Sequence, residues 1–201
     1  MHTNITEGLC THGFYVIDGF FEEETYQSLR STVELFYQQG KFKPSKIGHQ
    51  HQKNANLSIR NDAIFWLDKP SANEAISLYF KAMEALRDAL NQSLFLGLID
   101  VEAHFAVYPA HHFYKKHIDQ FSNTKDRKIS CVYYLNNEWS DENGGQLVLY
   151  DENNEPRPPI LPLGNRLVCF NSDIAHEVLT AYQLRYSIAS WLKIRPMTLI
   201  T

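Results

Sequence analysis

Three side chains could perform chemistry together. His117-Ile118-Asp119 sets an imidazole and a carboxylate two residues apart, and on a strand positions i and i+2 face one side. His176 comes much later, behind the run RLVCFNSDIA. Two neutral imidazoles and one carboxylate on one side of a metal form the facial triad of O2-activating non-haem Fe(II), which leaves adjacent coordination positions open. Those positions suit a chelating cosubstrate and O2. A His-x-Asp alone is weak in a chain with nine histidines, where a structural histidine beside an aspartate is the ordinary reading. The second histidine, and an arginine beyond it, change that.

The arginine is Arg185, which opens the run RYSIASWLK. On a strand Arg185, Ser187, Ala189 and Trp191 share a face. An arginine followed by two small residues suits a pocket in which a guanidinium grips a carboxylate through two parallel hydrogen bonds. Alone it would read as a surface salt bridge. In ISCVYYLN, residues Ser130, Val132 and Tyr134 share a face, so Tyr134 can offer a phenol to the same carboxylate; alone it is a core tyrosine. Ile129, Cys131, Tyr133 and Leu135 take the opposite face. The other histidines fit ligand roles less well. His111 and His112 are adjacent and read as loop residues. His49 and His51 lie in a polar stretch, and His104, in an apolar run, reads as a core histidine.

These residues need a scaffold. FYVID at 14–18 reads as a strand and 22–39 as a helix ended by Gly40. The polar stretch 41–58 reads as a long loop and a mobile substrate lid. A second helix is expected over about 72–92, opened by a Ser71-x-x-Glu74 capping box. Then short β-rich runs follow at 100–108, 114–118, 128–135, 145–150, 166–170 and 185–194, the pattern of a sandwich or barrel. Gly144-Gly145 marks a turn or bulge, and Pro156 to Pro162 a connecting loop. The expectation is one α+β domain over 1–201, with helical support in 1–93 and a β core in 94–201.

Composition narrows the setting. The net charge of −4 argues against a nucleic-acid coat protein, which needs a basic face. The three cysteines form no metal or disulfide pattern. No segment reads as a secretory signal or a membrane span, so a cytoplasmic protein is the expectation.

Together the motifs resemble the 2-oxoglutarate- and Fe(II)-dependent prolyl hydroxylases of the oxygen-sensing type, including bacterial members. The resemblance is carried by YPA, HID, CVYYLNNEW, GGQLVLY, RLVCFNSDIAHEV and RYSIASWL, and more weakly by IRNDAIFWLD at 59–68. The segment between Tyr108 and His117 is slightly shorter than in the animal enzymes and lacks their glycines. Arg185 stands where collagen-type enzymes use lysine, and Asp119 is kept where the similar halogenases lose it.

The resemblance implies a double-stranded β-helix (jelly roll, cupin-like) with N-terminal helices. It implies His117, Asp119 and His176 as iron ligands, and Arg185 and Tyr134 as partners of the distal 2-oxoglutarate carboxylate. Tyr108 would approach the cosubstrate or substrate, Val132, Leu147, Val178 and Trp191 would line the pocket, and Arg60 and Asp62 would order a substrate loop. The implied reaction uses O2, with ascorbate as a further cofactor, and hydroxylates a prolyl residue of a protein, releasing succinate and CO2. Elongation factor Tu is a candidate partner. Alternatives are another peptide side chain or a small molecule as substrate, or a β-helix module that holds a metal without turnover.

Overall fold

The computed structural model describes residues 2–45, 59–120 and 124–196. In chain order the described elements are α1 (His2–His12), β1 (Phe14–Asp18), α2 (Glu23–Gln38), β2 (Lys43–Pro44), β3 (Ala63–Trp66), α3 (Glu74–Leu94), β4 (Asp100–Tyr108), β5 (Tyr114–His117), β6 (Arg127–Tyr134), β7 (Leu147–Leu149), β8 (Arg166–Asn171), β9 (His176–Val178) and β10 (Arg185–Lys193). The strands form two antiparallel sheets, ordered β1-β8-β6-β10-β4-β3-β2 and β5-β9-β7. This is a double-stranded β-helix, as the motifs led us to expect.

The period of two sorts each central strand into two faces. Ala103, Phe105 and Val107 of β4, Cys131 and Tyr133 of β6, and Ile188 and Leu192 of β10 join one buried core with Leu29 and Val33 of α2 and Tyr79, Met83 and Leu86 of α3. This face anchors the helices. Each fully buried Leu or Met contributes roughly 1.5–3 kcal/mol. Tyr79 also meets Ser190 hydroxyl to hydroxyl at 2.9 Å, tying α3 to β10. The alternate residues, Ala106, Val132, Arg185, Ser187 and Ala189 among them, face a cavity instead.

The N-terminal part lends strands as well as helices: β1 pairs with β8, and β3 with β4. The start of α3 differs from the expected capping box. Its cap is Asn73, whose side chain accepts from the Ile76 amide, while the Ser71 hydroxyl accepts from the Asn73 amide. The serine lies two residues too early because the chain turns once more before the helix begins. Residues 46–58 of the expected lid, with His49 and His51, lie outside the described residues. Among the described residues no helix is long and apolar enough to cross a membrane.

Candidate active site

The three-stranded sheet brings the two histidines together. β5 and β9 pair with His117 directly opposite His176, and the rings sit 4.2 Å apart. Asp119 is not on the strand, as the sequence spacing suggested. β5 ends at His117, and Asp119 lies in the bend beyond. The bend is tied by Gln120 N donating to Ser172 O at 3.0 Å, and Ser130 Oγ donates to Asp119 Oδ2 at 2.8 Å. His117 Nε2 lies 3.6 Å from Asp119 Oδ1, and His176 Nε2 lies 3.5 Å from Asp119 Oδ2. The three ligand atoms lie within 4.8 Å of one another.

The outer nitrogens fix the tautomers. His117 Nδ1 meets Lys115 O at 2.8 Å and His176 Nδ1 meets Ile174 O at 2.9 Å. A carbonyl only accepts, so each Nδ1 carries the proton and each Nε2 turns a lone pair inward, as in metal-binding histidines. Burial lowers the His176 pKa to about 4, so the ring is neutral at pH 7. Burial would raise the Asp119 carboxyl, but His176 and His117 outweigh it and hold it well below the usual carboxylate range. Two neutral nitrogens and an anionic oxygen suit a divalent transition metal.

A cavity of about 940 Å3 opens beside this trio, lined by Val132, Leu147, Val178 and Trp191 as expected. At one end lies Arg185, 1% exposed. Its Nε donates to Gly145 O at 2.9 Å and its Nη1 to Ser187 Oγ at 3.2 Å. No carboxylate pairs with it among the described residues, and neither its Nη2 nor the Tyr134 hydroxyl has a hydrogen-bond partner. The Arg185 guanidinium sits 4.9 Å from the Tyr108 ring and 5.0 Å from the Tyr134 ring. Tyr108 lines the cavity, whereas Tyr134 is wholly buried behind Val132 and Leu147 in the lining. Burial pushes both phenols above their ordinary range, so both stay protonated donors. A buried cation without a counterion is costly. A dianionic ligand reaching from the metal trio to Arg185 removes that cost, so the residues fit Fe(II) and 2-oxoglutarate.

Arg60 also lines the cavity and differs sharply. Its Nε and Nη2 bind Asp62 Oδ1 and Oδ2 at 2.5 and 2.9 Å. Asp62 sits behind Arg60 and also accepts from Ser45 Oγ at 2.6 Å, which fixes the chain entering 46–58. The Arg60 guanidinium lies 4.5 Å over the Tyr114 ring, which stacks on His117 at 3.5 Å. Tyr114 thus props a candidate metal ligand. The sequence offered no signal for it, because β5 is four residues long and the stack depends on Arg60, far away in the chain and bridged to Tyr114. Gly145 was legible only as a turn. Its φ is +68°, and a Cβ there would come within 2.9 Å of Arg185 Cδ. His111 and His112 stay in the turn before β5, away from the trio.

The fold and the geometry of the site fit a mononuclear metal oxygenase with a carboxylate cosubstrate. The 2OG-Fe(II) oxygenase superfamily model matches residues 103–193. A Pseudomonas putida prolyl-4-hydroxylase superposes with a TM-score of 0.87 at 35% identity, over 97% of this chain and 100% of that one. A prolyl hydroxylase from Trichoplax adhaerens, in complex with a hypoxia inducible factor oxygen degradation domain peptide fragment, gives a TM-score of 0.87 at 29% identity, over 96% of this chain and 88% of that one. Human Egl nine homolog 1 is 33% identical over 187 residues, 90% of this chain and 43% of the human protein. The chain spans about half the length of the Egl nine homolog 1 sequences it matches. The chain belongs to the 2OG-Fe(II) oxygenase superfamily, and its relatives there include prolyl hydroxylases.

Proposed function

We propose that the protein is a 2-oxoglutarate- and O2-dependent Fe(II) hydroxylase acting on a prolyl residue of a protein. The observation that carries this reading is the unpaired Nη2 of Arg185 in the cavity that holds the histidine–aspartate trio, with the unpaired Tyr134 hydroxyl buried beside Arg185. His117, Asp119 and His176 would hold Fe(II), which with 2-oxoglutarate supplies the oxidative chemistry: one oxygen of O2 ends in succinate and the other in the hydroxylated product, with CO2 released. Arg185 anchors the far carboxylate, and Tyr134 donates beside it. Ser130 keeps Asp119 oriented. Val132, Leu147 and Val178 exclude water around the cosubstrate, which strengthens each of these electrostatic contacts.

The peptide held by the Trichoplax relative supports a polypeptide substrate. The Arg60–Asp62–Ser45 network would order the chain that receives it. A non-catalytic module fits less well, since Asp119 and Arg185 are both in place. Elongation factor Tu is the first protein to assay, a choice that rests on resemblance. Ascorbate would maintain the iron in its reduced state, and a reducing cytoplasm suits the three free thiols. The test is intact-mass analysis of candidate proteins after incubation with the enzyme, Fe(II), 2-oxoglutarate and ascorbate. A gain of one oxygen on a prolyl residue supports the reading; cosubstrate turnover with no such gain on any prolyl protein sinks the substrate assignment.

A further inference from the structure

The cavity wall facing away from Arg185 is built around a buried histidine that the metal site does not use. Across the large sheet, Trp66, His104, Ala189 and Val132 stand in one register row, with Glu102, Trp191 and Ser130 in another. The His104 ring is 2% exposed and lies 4.9 Å from the Trp66 ring and 5.3 Å from the Trp191 ring. Arg127 stacks 3.6 Å over Trp191 and is held by Glu102 at 2.6 Å. His104, Trp66 and Trp191 all line the cavity. The sequence suggested a satisfied core histidine. It is buried, but only half satisfied.

His104 Nδ1 meets the Phe105 carbonyl at 3.2 Å, so Nδ1 carries the proton and Nε2 is an acceptor. Nδ1 carries the one hydrogen bond the His104 ring makes among the described residues, and the residue lines the cavity, where Nε2 can accept from a ligand. Burial, with Arg60 and Arg127 nearby, lowers the imidazole pKa to about 4, so Nε2 remains an acceptor at neutral pH. An apolar side chain would fill this position without leaving a polar atom unpaired. The indole N–H of Trp191 is buried and unpartnered. One wall therefore offers an unpaired acceptor and an unpaired donor side by side, the complement of a peptide's own N–H and C=O groups. Proline has no N–H, so the donor to His104 must come from a residue beside it.

Resting on the prolyl-hydroxylase reading, we infer that His104 is a specificity-determining residue whose Nε2 accepts a backbone N–H of the residue flanking the target proline, between the Trp66 and Trp191 rings. The wall then reads polypeptide context while the Arg185 end reads the cosubstrate.

The experiment is a double-mutant cycle between enzyme and peptide. The probes are acetylated, amidated peptides centred on one proline, and the same peptides with single flanking amides N-methylated. His104→Phe keeps a flat ring and removes the acceptor; His104→Gln keeps an acceptor. Losing one neutral hydrogen bond predicts a rise of about five- to tenfold in peptide KM for His104→Phe. The 2-oxoglutarate KM and peptide-independent succinate release should not move, and His104→Gln should stay near wild type. N-methylation at one flanking amide should weaken the wild type by the same factor and His104→Phe no further. If the phenylalanine variant does not fold, His104→Leu takes its place. The inference is overturned if the variant lacking the acceptor keeps the wild-type peptide KM, or if N-methylation weakens both enzymes equally. A wild type that accepts no capped prolyl peptide while turning over 2-oxoglutarate overturns the prolyl reading, and this inference with it.

Discussion

Arg60 and Arg185 line the same cavity and are treated in opposite ways. Arg60 has its counterion built in: Asp62 grips it through two bonds, and Ser45 grips Asp62. Arg185 is more deeply buried and bonds a carbonyl and a hydroxyl but, among the described residues, no carboxylate. A fold that leaves a guanidinium buried and unpaired carries a cost it could have avoided with one acidic residue. The difference separates scaffold from binding site. The paired arginine is complete within the fold, and the unpaired one is open to a carboxylate from outside.

The sharpest way to break the comparison is Arg185→Ala. Truncating one partner of a buried charge pair costs about 2–5 kcal/mol, so 2-oxoglutarate affinity should fall by roughly thirty- to several-thousandfold. The free protein should lose little stability, because no native carboxylate is orphaned; titration calorimetry with a thermal melt checks both halves. Asp62→Asn should do the reverse. It leaves Arg60 buried without its anion and should cost about 3–5 kcal/mol of folding stability, measured by urea unfolding, with 2-oxoglutarate affinity unchanged.

The two proteins should also differ in acid. Burial raises the Asp62 carboxyl, but Arg60 overrides it and lowers the pKa below its ordinary value. A depressed carboxylate stabilises the fold above its unfolded pKa of about 3.9, and that stability is lost as pH falls through the lower folded value. Wild type should therefore lose this contribution below about pH 4, and Asp62→Asn should show a flatter stability profile there.

Smaller changes sharpen the Arg185 side. Gly145→Ala places a Cβ against Arg185 Cδ at a positive φ and should cost about 1–3 kcal/mol, read as a raised 2-oxoglutarate KM together with a lower melting temperature. Ser187→Ala removes only the 3.2 Å contact to Nη1 and should cost about 0.5–1.5 kcal/mol of cosubstrate affinity by the same assay.

The legible parts of the molecule were those governed by strand parity and residue chemistry. β4, β6 and β10 were readable because one face of each is apolar and the other is not. Arg185 was conspicuous because two small residues follow it on its face. What was missed depends on partners distant in the chain. β9 is three residues long and is a strand only because β5 and β7 flank it. α1 has too few apolar residues for a clear stripe, with Ile5 and Leu9 buried. Asp119 reaches the two histidines from an unexpected place: the strand stops short and Ser130 bonds the carboxylate. Tyr114 and the half-satisfied state of His104 are properties of packing, and no spacing announces them.

The most direct test is an anaerobic titration of the Fe(II)-loaded protein with 2-oxoglutarate, followed by the charge-transfer absorption of the chelated metal. Wild type and Asp62→Asn should saturate at the same cosubstrate concentration, while Arg185→Ala should need far more. An Arg185→Ala protein that titrates like wild type, or a wild type that develops no band at all, would contradict the account.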